Sequence, residues 1–181
     1  MPSGVSGIGR TRRRPRRLLA LVGLLALTGC ASSIAAGTPP ATRRGATSAR
    51  PSTSAALERD VFDLVNRHRR ARGLPLLALD AHISRAARAH SAAMAAGSVP
   101  LGHGGFDDRI DALRHVMSCR HSAENVAFNR GHRSPASQAV RGWLASRGHR
   151  QNIEGRYDAT GVGVAVNAAG EVYLTQIFVG R

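Results

Sequence analysis

Residues 161–179, with the sequence GVGVAVNAAGEVYLTQIFV, are the stretch that decides the fold. Valine alternates with glycine or alanine over residues 161–166, the period of two that places apolar side chains on one face of a β-strand. Asn167 to Gly170 are turn-forming in composition, and residues 171–179 resume an apolar strand. The segment therefore predicts a β-hairpin.

Helical spacing and capping residues predict four helices and one further strand ahead of this hairpin. The predicted elements are a helix from Ser54 to Gly73, a helix capped by Asp80 and ending near Gly97, a helix from Phe106 to His115, a strand around Glu124 to Phe128, and a helix capped by Ser134 that stops at Gly148. Pro135 after Ser134 suits the first position of a helix. This order predicts an α+β domain in which helices cover an antiparallel sheet.

The N-terminal 29 residues have the composition of an export signal. The segment contains six Arg and no acidic residue. The arginines are followed by ten almost wholly apolar residues, Leu18 to Leu27. A ten-residue helix is about 15 Å long, half of a bilayer core, so a membrane span is excluded. The following Thr28-Gly29-Cys30 resembles the bacterial lipobox, which implies that Cys30 is lipidated and anchors the mature chain to a membrane. An ordinary cleaved signal with an incidental cysteine is the alternative.

Residues 30–56 are interpreted as a tether. Of residues 31–55, 21 are Ala, Ser, Thr, Pro or Gly, and Ile34 is the one large apolar residue, so the segment cannot bury a core. The sequence thus divides into a lipoprotein signal peptide at 1–29, the tether at 30–56 and a domain at 57–181.

The net charge of +15 belongs mostly to the signal and the tether. All 26 basic residues are Arg, and nine of them precede residue 57, whereas all 11 acidic residues follow it. The domain keeps 17 Arg against 11 acids, a charge of +6. Aromatic residues, at 4%, are too few for base stacking, which argues against specific nucleic-acid binding. Adhesion to another polyanion, such as teichoic acid, stays open.

Nine short motifs occur in one order through the domain. They are Asn66-xx-Arg69, Gly73-Leu74-xx-Leu77-xx-Asp80, His90-Ser91-xx-Met94, His103, Phe106-Asp107-Asp108-Arg109-Ile110, Ala123-Glu124-Asn125-Val126-Ala127, Trp143-xx-Ser146-xx-His149-Arg150-x-Asn152-Ile153, Gly161-Val162-Gly163-Val164 and Tyr173-x-Thr175-Gln176-Ile177-Phe178. Together they resemble the bacterial branch of the CAP superfamily of cysteine-rich secretory, antigen 5 and pathogenesis-related proteins, whose domain is called SCP. The resemblance implies a three-layer α-β-α sandwich with a central antiparallel sheet, and an extracellular setting.

The resemblance also implies a cavity. In animal and plant members it holds two His and two Glu, and in some it binds a divalent metal. Matched by position, His103 is the first His and Glu124 the first Glu, whereas Ser146 replaces the second Glu and Tyr173 the second His. The bacterial motif supplies His149 instead. The cavity candidates are therefore His103, Glu124, Ser146, His149 and Tyr173.

This set of residues allows two kinds of chemistry. His103, Glu124 and His149 could hold Zn²⁺ or Ca²⁺ with an open position for water, as in a metal-dependent, peptidase-like hydrolase. Alternatively, Glu124 accepts hydrogen bonds from the two imidazoles in a cluster without metal or turnover. Ser146 is kept as a candidate nucleophile beside His149. The absent second carboxylate favours a cluster that does not catalyse.

The sequence therefore predicts an exported, envelope-anchored lipoprotein whose CAP/SCP domain is a non-enzymatic binding module. Its expected ligand is a lipid, a cell-wall polymer or an envelope protein, bound through the His/Glu cavity. The alternatives are the metal-dependent hydrolase and a basic polyanion-binding envelope protein. Two further expectations concern single side chains: His90 is a satisfied core histidine, and Arg109 pairs with a carboxylate such as Asp80 or Asp107.

Overall fold

The computed structural model describes residues 53–181, which contain five helices and four strands. The helices are α1 (Ser54–Ala71), α2 (Ala81–Ala95), α3 (Phe106–Arg114), α4 (Pro135–Ala145) and α5 (Arg147–Glu154). The strands are β1 (Ala78–Leu79), β2 (His121–Asn129), β3 (Ala159–Val166) and β4 (Val172–Gly180). The predicted signal peptide, the lipidation site at Cys30 and the tether up to residue 52 lie outside the described residues.

The strands form one sheet in the order β1-β3-β4-β2. The predicted hairpin is confirmed, because β3 and β4 pair antiparallel from Ala159 opposite Val179 to Val166 opposite Val172. In the turn, the side-chain oxygen of Asn167 accepts two backbone N–H groups. β2 pairs antiparallel with β4 and is an edge strand, and β1 pairs parallel with β3 over two residues.

One face of the sheet is covered by α2 and α3. Helix α2 lies directly on β3, because a Cβ added at Gly161 or Gly163 would come within 2.2 Å of backbone atoms of that helix. The alternating glycines of the opening motif therefore let the helix approach the sheet closely. This layer buries Ile83, Ala87, Ile110, Leu113, Ala159, Ile177 and Val179.

The opposite face is covered by α1, α4 and α5, which completes the expected three-layer α+β sandwich. The buried side chains of this larger core are Leu57, Val61, Val65, Leu77, Ala123, Ala136, Ala139, Val140, Trp143, Ile153, Val162, Val164, Val172, Leu174 and Phe178. Full burial of one large side chain such as Leu174 contributes about 2 kcal/mol relative to its exposure. Trp143 also donates its indole N–H to the Val126 carbonyl on the outer edge of β2, at 3.0 Å.

Two polar residues of α1 fix the segments beside it. Asn66 bonds both the N–H and the carbonyl of Leu77, at 2.9 and 3.0 Å. The buried guanidinium of Arg69 donates to four carbonyls, those of Pro75, Ile153, Gly155 and Tyr157. Burial lowers the pKa of Arg69. These bonds hold the end of α5, and thus the helix that carries His149, against α1.

The chain departs from the sequence predictions at three places. The predicted fourth helix is two helices, since α4 ends at Ala145 and Ser146 adopts an extended conformation with ψ 126° before α5 begins. Ser134 occupies the N-cap position of α4 and Pro135 its first helical position, as predicted, but the Ser134 side chain makes no capping hydrogen bond. The two-residue β1 was not predicted, because two residues are too few to show a period. No helix within residues 53–181 combines the length and apolar composition needed to cross a bilayer.

Candidate functional site

The candidate site is built around Glu124, on the edge strand β2. Its side chain is only 2% exposed and is held by the guanidinium of Arg109, from α3. Arg109 Nε and Nη2 lie 3.2 and 2.8 Å from Oε2, and Nη2 lies 2.9 Å from Oε1. This two-pronged ion pair neutralises the carboxylate in a place where an unpaired charge would be costly.

The sequence predicted the wrong partner for Arg109. It predicted a salt bridge with a carboxylate such as Asp80 or Asp107, whereas the structure pairs Arg109 with Glu124. Asp80 instead caps α2, where it accepts from the N–H groups of His82 and Ile83, and Asp107 is exposed in the first turn of α3. The sequence did contain a signal for the correct partner. Glu124 lies in a strand, and a buried carboxylate there needs a nearby cation.

His103 lies on the loop between α2 and α3, among Gly102, Gly104 and Gly105. Its Nδ1 is 3.0 Å from Oε1 of Glu124, and 52% of its side chain is exposed. The loop can present His103 in this way because Gly102 and Gly105 have φ values of +147° and +70°, which side-chain-bearing residues rarely adopt.

Two hydrogen bonds hold this loop in place. His90, buried on α2, donates from Nε2 to the Gly102 carbonyl at 2.8 Å, which agrees with its interpretation as a satisfied core histidine. Arg109 Nη1 donates to the Gly104 carbonyl at 2.8 Å. The arginine that neutralises Glu124 therefore also positions the loop that carries His103.

His149, in the first turn of α5, completes the group. Its ring centroid lies 6.3 Å from that of His103, with the planes tilted by 45°. Burial lowers the pKa of His149, and the nearby imidazole of His103 lowers it further. Both causes favour the neutral imidazole at pH 7.

Two asparagines attach α5 to β2 and so position His149. Asn152 donates to the Glu124 backbone carbonyl at 3.2 Å and to Oδ1 of Asn125 at 2.9 Å. Asn125 in turn donates to the His149 carbonyl at 3.1 Å. Both asparagines stand in the quoted motifs, but spacing alone did not indicate that they face each other.

The other two cavity candidates are placed differently. Ser146 is the residue between α4 and α5, one turn before His149, and no hydrogen bond among residues 53–181 joins it to an imidazole. Tyr173 packs edge-to-face on Phe128, with centroids 5.2 Å apart, and its hydroxyl contacts Glu171 at 3.3 Å. Because Phe128 lies four residues along β2 from Glu124, about 13 Å, Tyr173 is not part of the cluster.

The donor set does not fit a Zn²⁺ or Ca²⁺ site. Within residues 53–181 no group of three or more His, Cys, Asp or Glu side chains is arranged to hold a metal ion. Both oxygens of Glu124 already accept hydrogen bonds from Arg109, and Oε1 also accepts one from His103. The guanidinium supplies the positive charge that an ion would bring, so this geometry does not support the metal-dependent hydrolase.

Beside the cluster lies an open pocket of about 260 Å³. Its lining residues are His103, Phe106, Ala123, Glu124 and Asn152. Phe106 contributes a half-buried aromatic ring, and His103 and Asn152 contribute polar atoms. The arrangement can bind a small group through hydrogen bonds and an apolar contact.

Comparisons with known proteins give one consistent result. The profile of the CAP family, described as the cysteine-rich secretory protein family, matches residues 62–178. YkwD of Bacillus subtilis is 31% identical over 147 residues, which cover 78% of this chain and 55% of that protein. The chain therefore spans about half the length of this curated relative.

Solved structures show the same similarity. An extracellular protein of Bacillus anthracis that contains an SCP domain is 30% identical, with a TM-score of 0.59 over 71% of this chain and 41% of that one. An outer surface protein of Borrelia burgdorferi is 15% identical, with a TM-score of 0.61 over 71% of this chain and 96% of that one, and supports the fold alone.

Proposed function

Because the chain belongs to the CAP, or cysteine-rich secretory protein, family, we propose that it is an exported bacterial envelope protein whose domain is a non-catalytic binding module. The extracellular nature of the Bacillus anthracis relative and the signal-like residues 1–29 support export. The lipobox-like sequence ending at Cys30 supports anchoring to a membrane.

The proposed binding role rests on the hydrogen bonds and the burial of Glu124. A general base or a metal ligand needs a carboxylate oxygen with free lone pairs directed at the reacting group. Here four hydrogen bonds from Arg109 and His103 occupy the two oxygens, and the side chain is 2% exposed. The pocket beside it is open and combines apolar surface with polar atoms of His103 and Asn152, which suits recognition rather than turnover.

Envelope binding and turnover can be measured in one experiment. The full chain is incubated with isolated bacterial envelopes, the bound fraction is determined by sedimentation, and soluble products are sought by mass spectrometry. We expect retention without released fragments, and a smaller bound fraction for His103→Ala than for the control His132→Ala, which changes an exposed residue. Fragments that appear with the wild type and not with envelopes incubated alone would overturn the proposal in favour of an enzyme.

Anchoring has a separate test. Cys30→Ser is expected to move the protein from the membrane fraction to the soluble exported fraction, because the proposed attachment is the lipid on that residue. Unchanged membrane association of Cys30→Ser would contradict lipidation and leave the binding role untouched.

A second proposal, polyanion binding, rests on α1. Arg67 and Arg70 are exposed, one turn apart, and line a pocket of about 410 Å³ whose other lining residues include Phe62, Leu76 and the exposed Asp63. No carboxylate in residues 53–181 forms a salt bridge with either arginine. Binding of inorganic polyphosphate should fall steeply with salt and weaken in the double variant Arg67→Ala and Arg70→Ala. A response that does not depend on salt would eliminate this role.

A further inference from the structure

The one carboxylate that lines the pocket is already paired. The guanidinium of Arg109 balances the carboxylate of Glu124 at 2.8 Å. A cationic ligand would therefore find no free carboxylate among the lining residues. Asp107 and Asp108, exposed in the first turn of α3 next to Phe106, would repel an anion.

Two side-chain polar atoms of the pocket are free to bond a ligand. Nδ1 of His103 donates to Glu124, so Nε2 is the ring nitrogen left for a ligand. Both amide hydrogens of Asn152 are directed at β2, to the Glu124 carbonyl and the Asn125 side chain. Its Oδ1 accepts from no donor within residues 53–181 and is therefore available. Such a pocket suits a ligand whose groups both donate and accept hydrogen bonds, as hydroxyl groups do.

The size and shape of the pocket further restrict the class of ligand. About 260 Å³ is less than the roughly 300–1,000 Å³ of pockets that enclose drug-sized ligands, so the pocket accommodates one ring. Phe106 supplies a flat apolar surface beside His103 and Asn152. Because the pocket is open and half of His103 is exposed, a bound ring can continue into a longer chain on either side.

We propose that this pocket binds one sugar ring of an uncharged glycan chain, with its hydroxyl groups hydrogen-bonded to His103 Nε2 and Asn152 Oδ1 and its apolar face packed on Phe106. This inference rests on the proposed binding function and names the ligand class for the same site. It assigns Phe106 and Asn152 to ligand contact and leaves Glu124 as the residue that orients His103.

The test is a calorimetric titration of the full chain with chitotetraose, an uncharged oligomer of N-acetylglucosamine. We expect saturable binding whose dissociation constant changes less than about twofold between 50 and 500 mM NaCl, because no ion pair forms. His103→Ala removes one of the two hydrogen-bonding groups and should weaken binding about tenfold. His103→Gln should restore most of the affinity, since its amide can donate to Glu124 and accept from the sugar.

Two controls separate the outcomes. His115→Ala changes an exposed histidine just after α3 and should bind as the wild type does. Each variant is also checked for an unchanged melting temperature. Failure to bind chitotetraose, together with retention on envelopes, overturns the glycan assignment and leaves the binding function standing. Equal affinity of wild type and His103→Ala also overturns the assignment, whereas loss of envelope retention in the wild type removes both proposals.

Discussion

Replacement of Glu124 by Gln removes one charge of a buried ion pair while it keeps the length and shape of the side chain. In the wild type the two partners are 2% and 14% exposed and lie 2.8 Å apart. The variant leaves the guanidinium of Arg109 without a counter-charge in a place where water reaches it poorly. The domain should therefore become markedly less stable.

The size of the effect follows from the burial. Removal of one partner of a buried pair costs about 3–5 kcal/mol. Arg109 is 14% exposed and keeps its hydrogen bond to the Gly104 carbonyl, so we expect the lower end, about 3 kcal/mol. This corresponds to about a hundredfold change in the unfolding equilibrium and, for a domain of this size, to a fall of about 10 °C in melting temperature.

The assay is urea unfolding of the full chain followed by circular dichroism, with a matched exposed pair as the control. Asp111 and Arg114 also form a salt bridge, but their side chains are 64% and 52% exposed, so Asp111→Asn should cost less than about 0.5 kcal/mol. If Glu124→Gln costs no more than Asp111→Asn, the argument for a buried ion pair is refuted.

A double-mutant cycle isolates the interaction itself. Arg109→Met removes the guanidinium and leaves an uncompensated carboxylate, so it should also destabilise. The combined variant Glu124→Gln and Arg109→Met should lose about 2 kcal/mol less than the two single losses added together, because neither buried charge is then unpaired. Additive losses would show that the two side chains do not interact.

Three further predictions concern other parts of the molecule. Because the pKa of His149 is lowered in the folded domain, the unfolded chain binds a proton at this residue more tightly. The free energy of unfolding should therefore be highest above the ordinary histidine pKa and should fall as the pH drops through the folded-state pKa. His149→Gln should flatten that part of the stability profile measured by urea titration. Asn152→Ala should cost about 1–3 kcal/mol in urea unfolding and speed amide exchange in α5, whereas the exposed neighbour change Gln151→Ala should do neither. Gly163→Ala places a Cβ 2.2 Å from the backbone of α2 and should abolish folding by circular dichroism, whereas Gly148→Ala, with open space around its Cβ, should be neutral or stabilising.

The regular elements were largely predictable because their signals are local. The valine alternation of β3, the Asp80 cap and the stripe of α1 each follow from periods of two or 3.6 residues and from unpaired N–H groups at a helix start. The break at Ser146 was missed because Arg147 and Gly148 neither require nor exclude a helix. α5 is instead held by tertiary bonds, from Asn152 to β2 and from Arg69 to its last turn.

The candidate site was predictable in part. Position within the motifs brought His103, Glu124 and His149 together, and the structure places these three side chains in one cluster. The same reasoning included Tyr173, which the register of β2 on β4 places about 13 Å away along the strand. Strand register depends on the whole sheet, so no local pattern could exclude this residue.

By itself, the sequence determined the order of helices and strands, the family and the concentration of positive charge ahead of residue 57, since these depend on composition, spacing and motif order along the chain. Only the tertiary structure decided what Glu124 does. Its partner Arg109 is 15 residues away on a helix of another layer, and this pairing depends on how closely α3 approaches the edge of the sheet. Burial makes that approach decisive, because a carboxylate removed from water must take the nearest available cation.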